Sequence, residues 1–230
     1  FDQALMLAAA KALVPADRAL RRGDWRARYE DGLPTQILQG RTALILGLGA
    51  IGGRLAAICH ALGMDVHAVR RHDGRPAPPT VTIHPPADLH RMLPQADVLA
   101  LCVPLTSETE GLIGEEELAL LPPSCVLVNV ARGPIVDEEA LYRALSEKQI
   151  AAAGLDVWYD YPTKADERAQ TPPSHFPFHE LDSVVMSPHR GGAFGTTEVE
   201  AHRMQDLAVT LNAIAQREPP PHRVDLRAGY

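Results

Sequence analysis

The sequence has few cysteines and no long run of apolar residues. Its three cysteines, Cys59, Cys102 and Cys125, are an odd number, and their spacing fits no metal site. We therefore expect buried, reduced thiols in a cytoplasmic protein, with no metal bound. The longest early apolar stretch, residues 4–14, contains a lysine and is too short to cross a bilayer. Acidic Asp2 precedes it, which is untypical of a signal peptide.

The sequence also lacks an excess of basic residues. Lysine and arginine together number 22 against 29 acidic residues, so the formal net charge is -7. This balance argues against a general nucleic-acid-binding protein. The 230 residues are 46% hydrophobic and 22% charged, which is typical of a globular protein with a substantial core.

Short apolar runs without alternation are separated along the chain by helical segments. Helices are predicted at 3–22, 51–62, 87–93, 115–120, 137–148 and 197–217, and strands at 42–46, 64–69, 81–83, 97–103, 126–130, 151–157 and 183–186. Such strands indicate a parallel sheet that is covered on both faces. The predicted fold class is therefore α/β, a doubly wound parallel sheet of the Rossmann type.

The first predicted strand is followed directly by a glycine-rich turn. Residues 47–52 read Gly-Leu-Gly-Ala-Ile-Gly and open the next predicted helix. Gly47 permits the tight turn, Gly49 lets the backbone approach a pyrophosphate, and Gly52 allows close packing of helix on strand. With Ala50 and Ile51 at the helix N-terminus, where phosphates are attracted, these residues are predicted to bind a dinucleotide.

The second predicted strand ends in basic residues. A cofactor with a free ribose usually meets an acidic side chain at this point. Here Arg70 and Arg71 follow the strand, with Arg75 close by. An arginine can pair bidentately with a 2′-phosphate, so NADP is favoured over NAD. Asp73 is near enough to leave NAD open.

Polar or charged residues, and one proline, also follow the later strands. Since ligands of open α/β sheets bind at the carboxyl edge, this set predicts a site there. Its members are Pro104, Thr106, Asn129, Arg132, Asp156, Ser187 and His189.

Four segments closely resemble sequences of one family, the D-isomer-specific 2-hydroxyacid dehydrogenases. They are Val-Pro-Leu-Thr-Ser-Glu-Thr (103–109), Val-Asn-Val-Ala-Arg-Gly-Pro-Ile-Val-Asp-Glu-Glu-Ala-Leu (128–141), Gly-Leu-Asp-Val (154–157) and Ser-Pro-His-Arg-Gly-Gly (187–192). Their order and spacing match the family over nearly the whole chain.

The resemblance implies a role for each matching residue. Arg132 should bind the substrate carboxylate and polarise its carbonyl, and His189 should donate or accept the proton. Asp156 should lie by the nicotinamide. Further implied cofactor contacts are Val103, Pro104, Thr106, Val130, Ala131 and Gly191. The implied activity is hydride transfer between NADP(H) and a small 2-keto or 2-hydroxy acid, with the arginine and the imidazolium stabilising the developing alkoxide.

The sequence departs from the family at one site position. The family usually has a glutamate five residues after Asp156, where it pairs with the catalytic histidine, but this chain has Tyr161. A neutral phenol can orient an imidazole without supplying the charge that keeps it protonated. Asp160 or Glu180 could take the place of that charge.

The resemblance also implies a division of the chain. Residues 1–22 would be a connecting helix that joins a homodimer interface or packs on its own sheet. Residues 23–218 would form the dinucleotide-binding domain, and 219–230 a tail returning toward an N-terminal substrate domain of about 100 residues. Since the chain starts at Phe1, we expect most of that domain to lie outside it.

Two other functions stay open. One is a formate- or phosphite-type dehydrogenase of the same superfamily, which Tyr161 and the run Asp156-Val157-Trp158 keep in consideration. The other is a non-catalytic cofactor-binding scaffold, which would need no His189. Neither alternative involves nucleic acid or a membrane.

Overall fold

The computed structural model describes residues 1–29, 35–71, 78–192, 195–221 and 223. Its centre is one sheet of seven parallel strands in the order β3-β2-β1-β4-β5-β6-β7. The strands are β1 (Thr42–Leu46), β2 (Asp65–Val69), β3 (Thr82–His84), β4 (Val98–Leu101), β5 (Val126–Asn129), β6 (Ala152–Leu155) and β7 (Val184–Met186). The order reverses at β1, where the chain returns to the middle of the sheet to add β4 on the other side.

The described residues also form α-helices before, between and after the strands. They are α1 (Asp2–Ala10), α2 (Leu13–Arg21), α3 (Arg26–Tyr29), α4 (Ala50–Ala61), α5 (Leu89–Met92), α6 (Glu115–Leu120), α7 (Glu138–Ser146) and α8 (Thr197–Ala215). The chain divides into two units, Phe1–His189 and Arg190–Tyr230. The first contains the whole sheet. The second contains α8, whose N-cap Thr196 accepts a hydrogen bond from the Val199 amide at 3.4 Å.

Alternate residues of each strand pack on opposite faces of the sheet. In β1, Leu44 and Leu46 belong to one apolar cluster and Ala43 and Ile45 to another. The first cluster includes buried residues of α5, α6 and α7, and the second includes those of α1 and α4. Both faces of the sheet are therefore covered. This explains why the strands are apolar on both sides, since successive side chains of a strand point to opposite faces. The predicted doubly wound fold is confirmed.

The first predicted helix is broken into two. Ala12 adopts a left-handed conformation with φ of 46° between α1 and α2. In a continuous helix the Pro15 ring would clash with the carbonyl of Lys11, whereas in the first turn of α2 its missing N–H is not needed. Helix α1 packs on its own sheet, where a Cβ at Gly154 of β6 would lie 2.9 Å from the Leu5 side chain.

Several other boundaries differ from the predictions. Helix α3 and the 3-10 turns Gly133–Ile135, Asp166–Ala169 and Phe178–Glu180 lie where irregular chain was predicted. Most strands are one or two residues shorter at their ends. The predicted N-cap of α7 is confirmed, because the Asp137 carboxylate accepts a hydrogen bond from the Ala140 amide at 2.8 Å.

The three cysteines are free thiols, two of them buried, whereas Cys102 is only half-buried. Burial raises the pKa of Cys59 to about 11, so this thiol is inert at neutral pH. In the described part of the chain, no helix is long and apolar enough to span a bilayer. The same residues contain no cluster of three side chains suited to a metal ion.

The long connection between β6 and β7 is fixed to the first turn of α7. One carboxylate oxygen of Glu138 accepts hydrogen bonds from the Ser174 hydroxyl at 2.6 Å and the His175 amide at 2.8 Å. Tyr159 donates its hydroxyl proton to the Val136 carbonyl at 3.0 Å. These contacts hold the part of the chain that carries Tyr161.

A pair of stacked histidines at the β2–β3 edge predicts acid sensitivity. His67 Nδ1 lies 2.9 Å from His84 Nε2, so one of these nitrogens donates a hydrogen bond to the other. Burial, His67 and Arg91 lower the pKa of His84, and Asp88 opposes them. A folded-state pKa below the unfolded value of about 6.5 means that the folded protein is favoured above that pH and loses this stabilisation as pH falls.

The free energy of unfolding should fall as the pH is lowered from neutral to pH 5. We expect this fall to be smaller in His84→Gln than in the unaltered protein. Urea denaturation across this range measures the effect. His60→Gln, which alters an exposed histidine of α4, is the control and should leave the pH dependence unchanged. Identical slopes for His84→Gln and the unaltered protein would show that the pair has no such role.

Candidate active site

The glycine-rich turn lies at the carboxyl end of β1, and its first and last glycines are required by packing. Gly47 has φ of 92°, and a Cβ there would lie 2.7 Å from the Cys102 carbonyl oxygen. A Cβ at Gly52 would lie 2.0 Å from the Gly47 carbonyl oxygen. These contacts bring the turn against the start of the loop after β4 and seat α4 closely on β1.

The middle of the turn is open. A Cβ built at Gly49 meets no atom within 4 Å, although Gly49 is the N-cap of the twelve-residue helix α4. Ala50 and Ile51, the first residues of the helix, are exposed. The first turn of a helix has backbone N–H groups without partners in the helix, and these favour an anion. The turn therefore has space and donors suited to a pyrophosphate.

The loop after β4, which contains Val103 and Pro104, is braced by two threonines. Thr109 Oγ1 donates to the Pro104 carbonyl at 2.6 Å and accepts from the Thr106 amide at 2.8 Å. Short side-chain bonds to the backbone of this kind fix a loop without a helix or strand. The loop therefore has a defined shape beside the glycine turn.

Two arginines follow β2 on the other side of the glycine turn. The Arg70 amide donates to the His84 carbonyl at 3.1 Å, which fixes the backbone at the end of β2. The Arg71 guanidinium pairs with Glu108 of the loop after β4, with 3.3 Å between Nη1 and Oε2. Both side chains of this pair are exposed, so it adds little stability. His72, Asp73 and Arg75 lie outside the described residues.

Asn129, at the end of β5, shapes the turn that carries Arg132. Its buried amide donates to the Arg132 carbonyl at 2.9 Å and accepts from the Ala131 amide at 3.1 Å. Both ends of the amide are thus satisfied within the turn that contains Val130. Arg132 itself is exposed, and its guanidinium donates to the Ala131 carbonyl at 2.6 Å.

One close contact joins this turn to the chain after β6, and two hydrogen bonds join that chain to the end of β7. A Cβ at Gly133 would lie 2.2 Å from the Trp158 carbonyl oxygen, so the Arg132 turn is pressed against the chain after β6. The buried Asp156 carboxylate accepts the Ser187 hydroxyl proton at 2.6 Å. The Trp158 indole donates to the Ser187 carbonyl at 2.8 Å. The segment before His189 is therefore held on both sides.

His189 follows β7 in a left-handed conformation, with φ of 55°. Such residues are uncommon outside glycine and cluster at functional sites. Its Nδ1 lies 3.0 Å from the Tyr161 hydroxyl oxygen, which also accepts the Trp158 amide proton at 3.0 Å. Among the described residues, no carboxylate oxygen lies within 4 Å of the His189 ring nitrogens.

The two carboxylates predicted as substitutes for the family glutamate pair elsewhere. Asp160 lies 3.5 Å from His175, and Glu180 lies 3.9 Å from His179. Neither therefore supplies a charge at His189. Tyr161 is 43% exposed. Burial raises the pKa of its hydroxyl, while the Trp158 amide and Arg132 lower that pKa and Asp156 raises it further.

The structure brings most of the predicted site residues to one edge of the sheet. The glycine turn, the Pro104 loop, the Arg132 turn, Asp156 and His189 follow β1, β4, β5, β6 and β7 in that order. Gly191 belongs to the second unit, so its position relative to these residues stays a prediction. Contacts of Thr109, Glu108 and Trp158 were not predicted, because no spacing rule links them to their partners.

The sheet order and the glycine turn define a Rossmann-type domain of the kind that binds a dinucleotide. Residues 3–191 match the family model described as "D-isomer specific 2-hydroxyacid dehydrogenase, NAD binding domain". The chain therefore belongs to this family and contains its NAD binding domain, which confirms the resemblance seen in the sequence.

Relatives and solved structures agree with this assignment. The chain is 38% identical to a glyoxylate reductase of Aeropyrum pernix over 98% of its length, and 35% identical to one of Korarchaeum cryptofilum over 98%. It spans 65% and 64% of these two relatives. A D-isomer specific 2-hydroxyacid dehydrogenase of Xanthobacter autotrophicus Py2, solved with NADPH and MES, is 29% identical. That likeness has a TM-score of 0.78 and covers 98% of this chain and 85% of the other.

Proposed function

We propose that this chain is the cofactor-binding part of an NADP(H)-dependent reductase that acts on a small 2-keto acid, with glyoxylate as the first candidate. The observation that carries the proposal is the set of residues along the carboxyl edge. It begins at the open glycine turn and ends at Arg132, Asp156 and His189. The relatives named glyoxylate reductase support the choice of substrate.

The cofactor would be held by the chain's own backbone and by its arginines. Gly49 and the N-terminus of α4 offer room and donors for the pyrophosphate. Arg70 and Arg71 would pair with the 2′-phosphate, and the solved relative with NADPH supports this preference. When bound, the cofactor supplies a hydride from C4 of its nicotinamide.

The site residues would position and protonate the substrate. The Arg132 guanidinium suits a carboxylate, because its donors form a planar fork. The Asn129 amide fixes the turn from which that guanidinium extends. His189 would donate its proton to the oxygen on which negative charge develops.

Activity of the full-length protein tests the proposal. Oxidation of NADPH is followed with glyoxylate and with hydroxypyruvate, and reduction of NADP⁺ or NAD⁺ is followed with formate and with phosphite. We expect turnover with a 2-keto acid. Turnover with formate or phosphite alone would replace the proposal with the alternative dehydrogenase function.

The arginines after β2 give a prediction about cofactor choice. The double substitution Arg70→Gln and Arg71→Gln should reduce the ratio of NADPH to NADH affinity by about 10- to 150-fold, since two charge-assisted hydrogen bonds are lost. Fluorescence titration with both nucleotides at one salt concentration measures the ratio. Arg41→Gln is the control, because Arg41 precedes β1 and so lies at the amino-terminal ends of the strands, away from the proposed cofactor site. An unchanged ratio in the double variant would remove the 2′-phosphate assignment.

We also propose that the protein is a homodimer in the cytoplasm. Leu13 and Leu20, which are seven positions apart on α2, and Trp25, which follows that helix in the sequence, are each more than half exposed, at 59%, 52% and 59%. Large exposed apolar side chains on one helix face are typical of an interface. Light scattering of the full-length protein tests the dimer.

A further inference from the structure

The Tyr161 hydroxyl lies between the Trp158 amide and the His189 ring. The Trp158 N–H donates to the Tyr161 oxygen at 3.0 Å, and His189 Nδ1 lies 3.0 Å from the same oxygen. The amide can only donate, so it occupies one of the two lone pairs of the hydroxyl oxygen. The hydroxyl keeps its own proton for a different acceptor.

Among the residues that the structure describes, Nδ1 of a neutral His189 is the acceptor within hydrogen-bonding distance of that proton. A neutral imidazole has one N–H and one bare nitrogen. If Tyr161 donates to Nδ1, the ring proton must be on Nε2. The neutral ring then offers an N–H to the substrate oxygen, whereas a carboxylate partner at Nδ1 would hold the proton on Nδ1 and leave Nε2 bare.

We propose that Tyr161 is the positioning residue of His189 and passes it a proton during reduction, from the Tyr161 hydroxyl to Nδ1 as the Nε2 proton goes to the substrate oxygen. This inference rests on the proposed function. It extends that function by giving neutral His189 a way to act as an acid.

The protons and charges of this step balance. Hydride addition breaks the carbonyl π bond and places the electron pair on the substrate oxygen. That oxygen takes the Nε2 proton, Nδ1 takes the Tyr161 proton, and His189 stays neutral. Tyr161 becomes a phenolate and recovers its proton from water, to which its 43% exposure gives access. The net step uses one hydride and one solvent proton.

The surroundings of Tyr161 suit this role. Its hydroxyl stays protonated at neutral and moderately alkaline pH, because burial raises its pKa and Asp156 adds to that effect. The Trp158 amide and Arg132 oppose the rise and would stabilise the phenolate once it forms. An alkoxide is a stronger base than a phenolate, so net transfer of a proton from Tyr161 to the substrate oxygen is energetically favourable.

The pH dependence of keto-acid reduction in the full-length protein tests the relay. A lone histidine acid fails above its ordinary pKa of about 6.5, with the rate falling about tenfold per pH unit. We expect the unaltered protein to hold a nearly constant kcat/KM up to about pH 9, because Tyr161 still supplies a proton. Tyr161→Phe should lie within about threefold of it at pH 6 and fall steeply above pH 7.

Tyr159→Phe is the matched control. It removes a tyrosine hydroxyl from the same loop, one that contacts the Val136 carbonyl and not His189. This variant should keep the shape of the profile even if its rate is lower. Titration with NADPH shows that each variant is folded.

A second test reads the proton position without turnover. Nitrogen-15 NMR of histidine-labelled protein, without substrate, distinguishes the two neutral tautomers. We expect His189 to carry its proton on Nε2 in the unaltered protein and on Nδ1 in Tyr161→Glu, since a carboxylate only accepts.

The outcomes separate the relay from the proposed function. The relay and the proposed function are both supported if the unaltered protein turns over and keeps its kcat/KM at alkaline pH while kcat/KM of Tyr161→Phe falls there. Turnover with the same profile in both proteins, or an Nδ1 proton in the unaltered protein, overturns the relay and leaves the proposed function in place. No turnover with any 2-keto acid overturns the proposed function itself.

Discussion

His189→Ala in the full-length protein should lower kcat for glyoxylate reduction by about 10²- to 10⁴-fold, the usual contribution of a positioned acid. The site geometry gives the reason. The His189 ring is held through Nδ1 by Tyr161, while the chain before it is fixed by the bond from Ser187 to Asp156. Alanine removes the proton donor and leaves the glycine turn untouched.

Two measurements separate this effect from a loss of folding. NADPH affinity should stay within about threefold of the unaltered value, since no proposed nucleotide contact is changed. His179→Ala, an exposed histidine of the same unit, should leave the rate unchanged. Full activity of His189→Ala would contradict its role as the acid.

Alanine substitutions at Gly52 and Gly53, two neighbouring glycines of α4, should change the free energy of unfolding in opposite directions. A Cβ at Gly52 would meet the Gly47 carbonyl oxygen at 2.0 Å, so helix and strand must move apart. We expect Gly52→Ala to lower the free energy of unfolding by about 1–3 kcal/mol, the usual cost of overpacking. NADPH binding should weaken with it, because the glycine turn is displaced.

Gly53→Ala is the control for that experiment. A Cβ at Gly53 meets nothing within 4 Å, and the residue lies inside the helix. Alanine there should raise the free energy of unfolding by about 0.4–1 kcal/mol through its better helix propensity. Urea denaturation of both variants gives the comparison. Destabilisation of equal size in both would show that close packing at Gly52 is not the cause.

The sequence predicts the sheet well because its strands are buried on both faces. Runs such as Thr42–Leu46 and Val126–Asn129 have no polar alternation, and the glycine turn and the Asp137 cap mark where helices begin. The break at Ala12 follows from Pro15, which the predicted single helix over 3–22 does not accommodate. Helix α3 has four residues, too few for a periodic pattern.

The sequence predicts which residues form the site but not the hydrogen bonds and ion pairs that join them. Arg132, Asp156 and His189 stand out because strand ends meet at one edge of a parallel sheet. The bond from Ser187 to Asp156 and the pair of Arg71 with Glu108 join residues 31 and 37 positions apart. Such contacts depend on how the strand ends are spaced in three dimensions. Tyr161 was recognised as a departure from the family, but the Trp158 amide that orients its hydroxyl gives no signal in the sequence.

Transfer of deuterium from NADPH tests directly whether this protein transfers hydride to a 2-keto acid. The full-length protein is incubated with glyoxylate and NADPH carrying deuterium at the transferable C4 positions, and the glycolate is examined by NMR. We expect one deuterium on C2 of glycolate and none on its oxygen after exchange with water. Oxidation of NADPH without deuterium in a hydroxy acid would show that the hydride does not go to a 2-keto acid.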